Sequence, residues 1–229
     1  MRPGSPSPAK AAALKGGLPA GYILRYQPTL DTLPTMVDRA AGTHSAPMTG
    51  GATFDGTLGA VFDGLTGSAQ GAYQTDLNVA NWSVAFRLNS TTALASKYIL
   101  SRWRTTDNQR CWALITRLNG ALWVPRLIVS ANGTSIALDS YANLAAADGS
   151  DHLWVVTYSP TALAAWRDGV AVTWTAQPAS VTPYTSTSPF GVAYSGEGTT
   201  YVTGSYHGVI FWPRTLTPTE AAGIPAALV

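Results

Sequence analysis

Apolar and polar positions alternate every second residue along most of the chain. Trp82, Val84, Phe86 and Leu88 interleave with Ser83, Ala85, Arg87 and Asn89, the period of a half-buried strand whose side chains point to opposite faces in turn. The same pattern predicts strands at 98–103 (YILSRW), 109–118 (QRCWALITRL), 121–130 (ALWVPRLIVS), 134–141, 152–159 (HLWVVTYS), 163–168, 170–174, 189–195 (PFGVAYS) and 205–212 (SYHGVIFW). Turn residues stand wherever the alternation resets. Asn119-Gly120 and Asp168-Gly169 are hairpin signals because both central turn positions need positive φ, and Asn132-Gly133 is another of the same type. The one predicted helix spans 217–228, with Thr217 as its cap, Pro218 in the first helical position, Glu220 in the third and Pro225 ending it. Many short strands with regular turns and almost no helix predict an all-β fold, a two-sheet antiparallel β-sandwich.

Composition narrows this picture. At 229 residues one sandwich domain is of ordinary size and buries enough surface to need neither disulfides nor metal. The single cysteine, Cys111, is expected to be a buried structural thiol. Only 11% of residues are charged, so the surface must be covered by hydroxyls and small side chains. Such a surface suits contact with other proteins or with neutral polymers. Arg2, Lys10 and Lys15 give the first 21 residues +3 of the net +2, which leaves −1 for the rest. That balance offers no basic stripe, so no nucleic-acid partner is expected. Residues 1–20 carry Pro3, Pro6, Pro8 and Pro19 and are read as an extended arm, with 21–229 as the domain. The apolar run 11–14 is too short for an export signal, and no run approaches the ~20 residues of a membrane span.

The order of segments resembles a laminin G-like domain of the concanavalin A-like lectin and glucanase superfamily. GYILRYQ (21–27) is similar to its opening strand, VFDG (61–64) to its apolar-x-Asp-Gly element and NWSVAFRLN (81–89) to its central strand. LAAWRDGVAV (163–172) resembles its aromatic-x-Asp-Gly hairpin, and GSYHGVIFWPRTLTPTEAAGI (204–224) its closing strand and turn. The resemblance covers about 21–225 and implies a concanavalin A-like jelly roll with the arm outside it.

Chemistry is sparse. Relatives in that superfamily that cleave glucans carry a Glu-x-Asp-x-x-Glu strand, whereas the glutamates here are Glu197 and Glu220. With no paired carboxylates, no Gly-x-Ser-x-Gly and no His-Glu-x-x-His, the chain is read as a non-enzyme. His44, His152 and His207 are read as structural, and Asp168-Gly169 as a turn that fixes register. No cofactor is expected; Asp148 and Asp151 around Gly149-Ser150 are the place where calcium would bind if it bound at all.

Binding is therefore the leading class. Eight Trp and ten Tyr exceed what one core consumes, so some are expected on the surface as platforms for sugar rings. Trp82, Trp112, Trp154 and Trp166 are assigned to the core. Trp103, Trp123 (opposite the apolar phase of its strand), Tyr184, Tyr194 and Tyr201 are the carbohydrate-binding candidates. The resemblance extends to small bacteriophage proteins assembled in the host cytoplasm. It implies a virion structural protein on capsid, tail or fibre, homo-oligomeric, docked on other virion proteins through Arg2, Lys10 and Lys15 and adhering to cell-surface glycan. The alternative is a free carbohydrate-binding module, and a polysaccharide hydrolase stands third.

Overall fold

A computed structural model describes residues 17–31, 35–40, 42–90, 96–120, 122–145, 148–194 and 202–229. Arg2, Lys10 and Lys15 lie outside the described residues, as does Tyr201.

Two antiparallel sheets pack face to face, as the alternation predicts. Sheet I contains β1 (Leu24–Tyr26), β4 (Thr53–Asp55), β5 (Gly59–Asp63), β7 (Trp82–Asn89), β12 (Asp151–Ser159), β13 (Ala162–Arg167), β14 (Val170–Val172) and β16 (Thr203–Trp212). Its order is β14-β13-β12-β7-β16-β5-β4, with β1 beside the second half of β16. Sheet II contains β2 (Thr35–Met36), β3 (Ala46–Thr49), β6 (Ser68–Gln70), β8 (Tyr98–Arg102), β9 (Trp112–Asn119), β10 (Leu122–Val129), β11 (Leu138–Tyr141) and β15 (Gly191–Val192). Its order is β11-β10-β9-β8-β15-β6-β3-β2.

The central core is aromatic. Trp82 and Phe211 from sheet I stack on Trp112 from sheet II, with ring centroids 4.6 Å apart for Trp82–Trp112 and 6.3 Å for Trp112–Phe211. Tyr158 closes the other face of Trp82 at 5.3 Å, and its hydroxyl donates to the Val181 carbonyl. Cys111 is buried, and burial pushes its thiol up to about 11. Arg102 also points inward and is fully buried. Burial pulls its pKa down, while its guanidinium donates to the carbonyls of Leu77, Ser186 and Ser188 and to Asn78 Oδ1.

A second apolar cluster covers the outer face of sheet I. Ala85, Val155, Trp166, Ile210 and Trp212 pack there under Leu216, Ala221, Ile224 and Val229, with Leu18 and Tyr22 at the margin. Trp212 Nε1 donates to the Pro19 carbonyl at 2.8 Å, pinning residues 18–20 across this face. The terminal helix α1 is shorter than predicted, Pro218–Ala222. Its start is as expected: Thr217 and Glu220 form a reciprocal capping box and Pro218 opens the helix. It stops at Gly223, and Pro225 bars its extension.

Asp168 and Gly169 both have positive φ, 53° and 79°, as the hairpin between β13 and β14 demands. Asp168 Oδ1 accepts from the Leu153 amide at 3.0 Å, which ties the turn to the start of β12. Four of the eight Trp fill the central core, Trp166 and Trp212 fill the cluster over sheet I, and Trp103 fills a third cluster. The expectation of surplus surface tryptophans is thus corrected: a sandwich buried on outer faces as well as between its sheets consumes seven of the eight.

Candidate functional site

The outer face of sheet II carries the chemistry. Register places two rows across it: Tyr98, Ile115, Arg126 and Tyr141 on one, Ser101, Ala113, Ile128 and Asp139 on the next. Beyond Ser101, Trp103 falls on the same face and packs with Ala113, Ile115 and Ile128, with Tyr98 half-buried against them. Two loops wall this floor. The first reverses tightly between Arg104 and Gln109, whose backbones exchange hydrogen bonds of 3.3 and 2.9 Å. The second, 130–137, is shaped by Asn132, whose Oδ1 accepts from the amides of Thr134 and Ser135 at 3.0 and 2.9 Å. Gly133 has φ +79° within it, so close to its neighbours that a Cβ there would lie 2.3 Å from the Asn108 carbonyl oxygen and 2.8 Å from the Tyr184 ring.

Between these walls lies a groove of about 430 Å³, lined by Tyr98, Trp103, Thr105, Arg110, Ile128, Thr134 and Ile136. Arg110 lines it, Arg104 starts the first loop, and Arg126 and Arg117 follow along the outer face of sheet II. Arg126 Nε donates to Asp139 Oδ1 at 2.6 Å and a second nitrogen reaches the other carboxylate oxygen, so the pair is two-pronged. Arg104 grips Asp107 in the same way, with Nε to Oδ1 at 2.7 Å, and reaches Thr187 Oγ1 at 3.4 Å. Arg110 donates to the Thr134 carbonyl. The Arg117 guanidinium lies 4.1 Å above the Tyr141 ring centre. The Arg126 hydrogen bonds and charge, helped by Arg117, hold the Asp139 carboxyl below the usual range, and Arg104 does the same to Asp107.

The aromatic candidates fall in different places. Trp103 is at the groove, but it is 4% exposed and forms the floor, not a protruding platform. The alternation of β8 runs on past its last residue and puts Trp103 under both loops. Trp123 shares the phase of Leu127 and Val129, the inward one, and stands opposite Leu118 at the far end of the β9–β10 hairpin. The expected opposite phase is thereby corrected; Trp123 is half-buried because it lies near the tip of the hairpin. Tyr184 is half-buried and wedges the 130–137 loop from beside Gly133. Tyr194 is half-buried over Gly191, next to Ser101 in the neighbouring strand and close enough to Arg104 to act on it electrostatically. Tyr98, Tyr141 and the arginines went unnoticed in sequence. A signal was present for Arg117 and Arg126, which occupy outward phases of alternating strands; Tyr98 shares the sequence phase of Leu100 and Arg102, and only the register shift between Tyr98 and Leu100 turns it to the outer face.

Elsewhere histidines meet carboxylates. His152 contacts Asp168 Oδ2 at 2.6 Å through Nδ1 and Asp148 at 3.0 Å through Nε2. His44 sits between Asp38 at 3.1 Å and Asp76 at 3.0 Å. Asp148 and Asp151 turn to different partners: Asp148 meets His152 and Arg167, Asp151 meets Arg87 and His207. Among the described residues no group of three or more His, Cys, Asp or Glu is placed to hold a metal ion.

Solved structures share this architecture. The chain superposes on Trypanosoma rangeli sialidase in complex with the inhibitor DANA with a TM-score of 0.66 and 13% identity, over 93% of this chain and 34% of that one. The shared fold is a sandwich of two antiparallel sheets. Domain 4 of AbnA, a GH43 extracellular arabinanase from Geobacillus stearothermophilus, in complex with arabinotriose, matches with a TM-score of 0.65 and 11% identity, over 88% of this chain and 97% of that domain. The binding domain of botulinum neurotoxin DC in complex with rat synaptotagmin II matches with a TM-score of 0.63 and 12% identity, over 88% of this chain and 50% of that one. The chain thus spans about a third of the sialidase and nearly all of the arabinanase domain. No protein-family model and no curated protein matches it. Among the described residues no helix is long and apolar enough to cross a membrane.

Proposed function

We propose that this protein is a carbohydrate-binding module that holds a saccharide in the groove on sheet II and does not cleave it. The observation that carries the reading is the groove itself. An apolar floor of Trp103, Tyr98 and Ile128 suits the C–H face of a sugar ring, and the Thr105 and Thr134 hydroxyls with the Arg110 guanidinium suit its hydroxyls. That division of labour between flat apolar contact and a few placed polar groups is what a saccharide site requires. The likeness to an arabinanase domain bound to arabinotriose supports the same reading. Its restriction to binding rests on the carboxylates of this face. Asp107 and Asp139 are each clamped by an arginine and held ionised, which leaves neither protonated as a general acid near neutral pH.

The setting belongs to the same proposal. A laminin G-like adhesive sandwich with a low-charge body and a cationic arm, Arg2, Lys10 and Lys15, fits an oligomeric component of a bacteriophage particle. Mass spectrometry of purified particles tests this, and particles lacking the chain would refute it. The binding claim is tested on a glycan array with the wild-type chain and Tyr98→Ala. The expected result is specific capture that the variant weakens about tenfold, equivalent to ~1.4 kcal/mol. No captured glycan, or equal capture by the variant, would refute the site. Release of new reducing ends from a bound saccharide would refute its non-catalytic role.

A further inference from the structure

Four of the 11 lysines and arginines after Gly21 share one side of the fold. After Gly21 the sequence carries a net −1, yet Arg110 lines the groove, Arg104 starts one of its walls, and Arg126 and Arg117 lie on the same outer face of sheet II, with Asp107 and Asp139 paired to Arg104 and Arg126. The face is therefore positive by two charges on a body that is slightly negative. Arg104 and Arg126 are committed to two-pronged pairs. Arg117 carries its guanidinium carbon 4.1 Å above the Tyr141 ring centre, a contact that neutralises none of its charge. Arg110 gives a hydrogen to a backbone carbonyl, a contact that neutralises none of its charge.

Resting on the saccharide reading, we infer that the ligand is an acidic saccharide, whose carboxylate or sulfate groups pair with the guanidinium edges of Arg110 and Arg117 while its ring face lies on Tyr98 and Ile128. The arginines are separated on a scale that suits an oligomer. Four residues along β9, from Ala113 beside the groove to Arg117, span about 13 Å. Guanidinium forks match planar carboxylate and tetrahedral sulfate alike, so the structure assigns the anionic character and the experiment sorts the two. A single-stranded nucleic acid fits less well. Successive bases need protruding aromatic rings to stack on, and Trp103 is sunk in the floor.

The test uses the full chain and calorimetric titration with oligogalacturonate, its carboxyl-reduced counterpart, dextran sulfate, dextran and a short oligothymidylate. The acidic saccharides are expected to bind at least about tenfold tighter than their neutral counterparts, and more weakly as salt rises from about 50 to about 500 mM. Carboxylate and sulfate ligands are told apart by which acidic probe binds. Arg117→Met should lose about tenfold toward the acidic probe and nothing toward the neutral one, whereas Arg110→Met, which also removes a donor to the sugar hydroxyls, should weaken both and the acidic probe more. Arg117→Lys, which keeps the charge, should lose less, and this graded loss separates charge recognition from misfolding. Removing the charges of Arg2, Lys10 and Lys15 together should leave affinity unchanged. Equal affinity for acidic and neutral saccharides would overturn the inference and leave the saccharide reading standing. No saccharide binding at all would overturn both. Preference for oligothymidylate, or loss of binding with the arm charges, would overturn the inference by placing the recognition elsewhere.

Discussion

Replacing Arg102 with Met tests whether the groove is held from behind. The side chain is fully buried on the inner face of β8, where Nε donates to Ser188 O at 3.2 Å, one terminal nitrogen to Leu77 O at 2.5 Å and Asn78 Oδ1 at 3.0 Å, and the other to Ser186 O at 2.9 Å. The variant fills most of the space but satisfies none of these acceptors. Three are backbone carbonyls in buried bonds, and leaving each without a partner costs about 1–3 kcal/mol. Against that gross cost of about 3–9 kcal/mol, the variant no longer buries a cation, which returns a few kcal/mol, so a net loss of about 1–5 kcal/mol is expected. For a chain of this size that lowers Tm by roughly 10 °C. Urea unfolding followed by tryptophan fluorescence measures the free energy and calorimetry the Tm. The segment freed by the change, 186–188, also holds the rim through the Arg104 contact with Thr187, so ligand affinity should fall with stability. A loss below about 1 kcal/mol at unchanged m-value would refute the view that Arg102 staples the loops to sheet II.

Three further outcomes follow from other parts of the fold. Gly133→Ala would force a Cβ against the Asn108 carbonyl at φ +79°, so it should lower Tm and displace both groove loops, and a variant that binds ligand as the wild type does would contradict the assigned wall. Gly169→Val should cost about 1–3 kcal/mol, since φ is +79° and the added Cβ would meet the Ala222 carbonyl at 3.0 Å; an unchanged Tm would contradict the turn geometry. Burial raises the Asp63 carboxyl, but amide donations from Thr66, Gly67 and Leu65 outweigh it and bring the pKa to about 2. Its folded value lies below the unfolded one, so its contribution is present above about pH 4 and lost as pH falls toward 2. Asp63→Asn should flatten that part of the acid-unfolding curve, and an identical curve would contradict the assignment.

The sandwich was legible because alternation and turn chemistry agree. β7, β9, β10, β12 and β16 are long alternating strands, interrupted in β16 by a register shift between Tyr206 and Gly208, and Asn119-Gly120 and Asp168-Gly169 fall where hairpins join their neighbours. Short strands were harder. β15 was expected over 189–195 and is only Gly191–Val192, as Ala193 takes a positive φ and breaks the ladder. The helix was overextended because its start signals are strong, whereas its stop depends on Gly223 as well as Pro225. The groove was mostly invisible for a different reason. Arg104, Arg110, Arg117 and Arg126 are spread over more than twenty residues, and only the register of β8 through β11 gathers them. Trp103 was named, but its place depends on two loops closing over it, which alternation does not report. Asp168 was rightly read as a turn former, while its contact with His152 comes from strand pairing that no local pattern shows.

The central claim is that the outer face of sheet II, between β8 and β11, receives a saccharide. Its most direct test is a titration of isotopically labelled protein with the best-bound oligosaccharide, followed by amide chemical shifts. Shifts should concentrate at Tyr98, Trp103, Thr105, Ile128, Thr134 and Ile136 and leave the terminal segments over sheet I unmoved. Shifts clustered on sheet I or on the β12–β14 hairpins, with the groove silent, would contradict it.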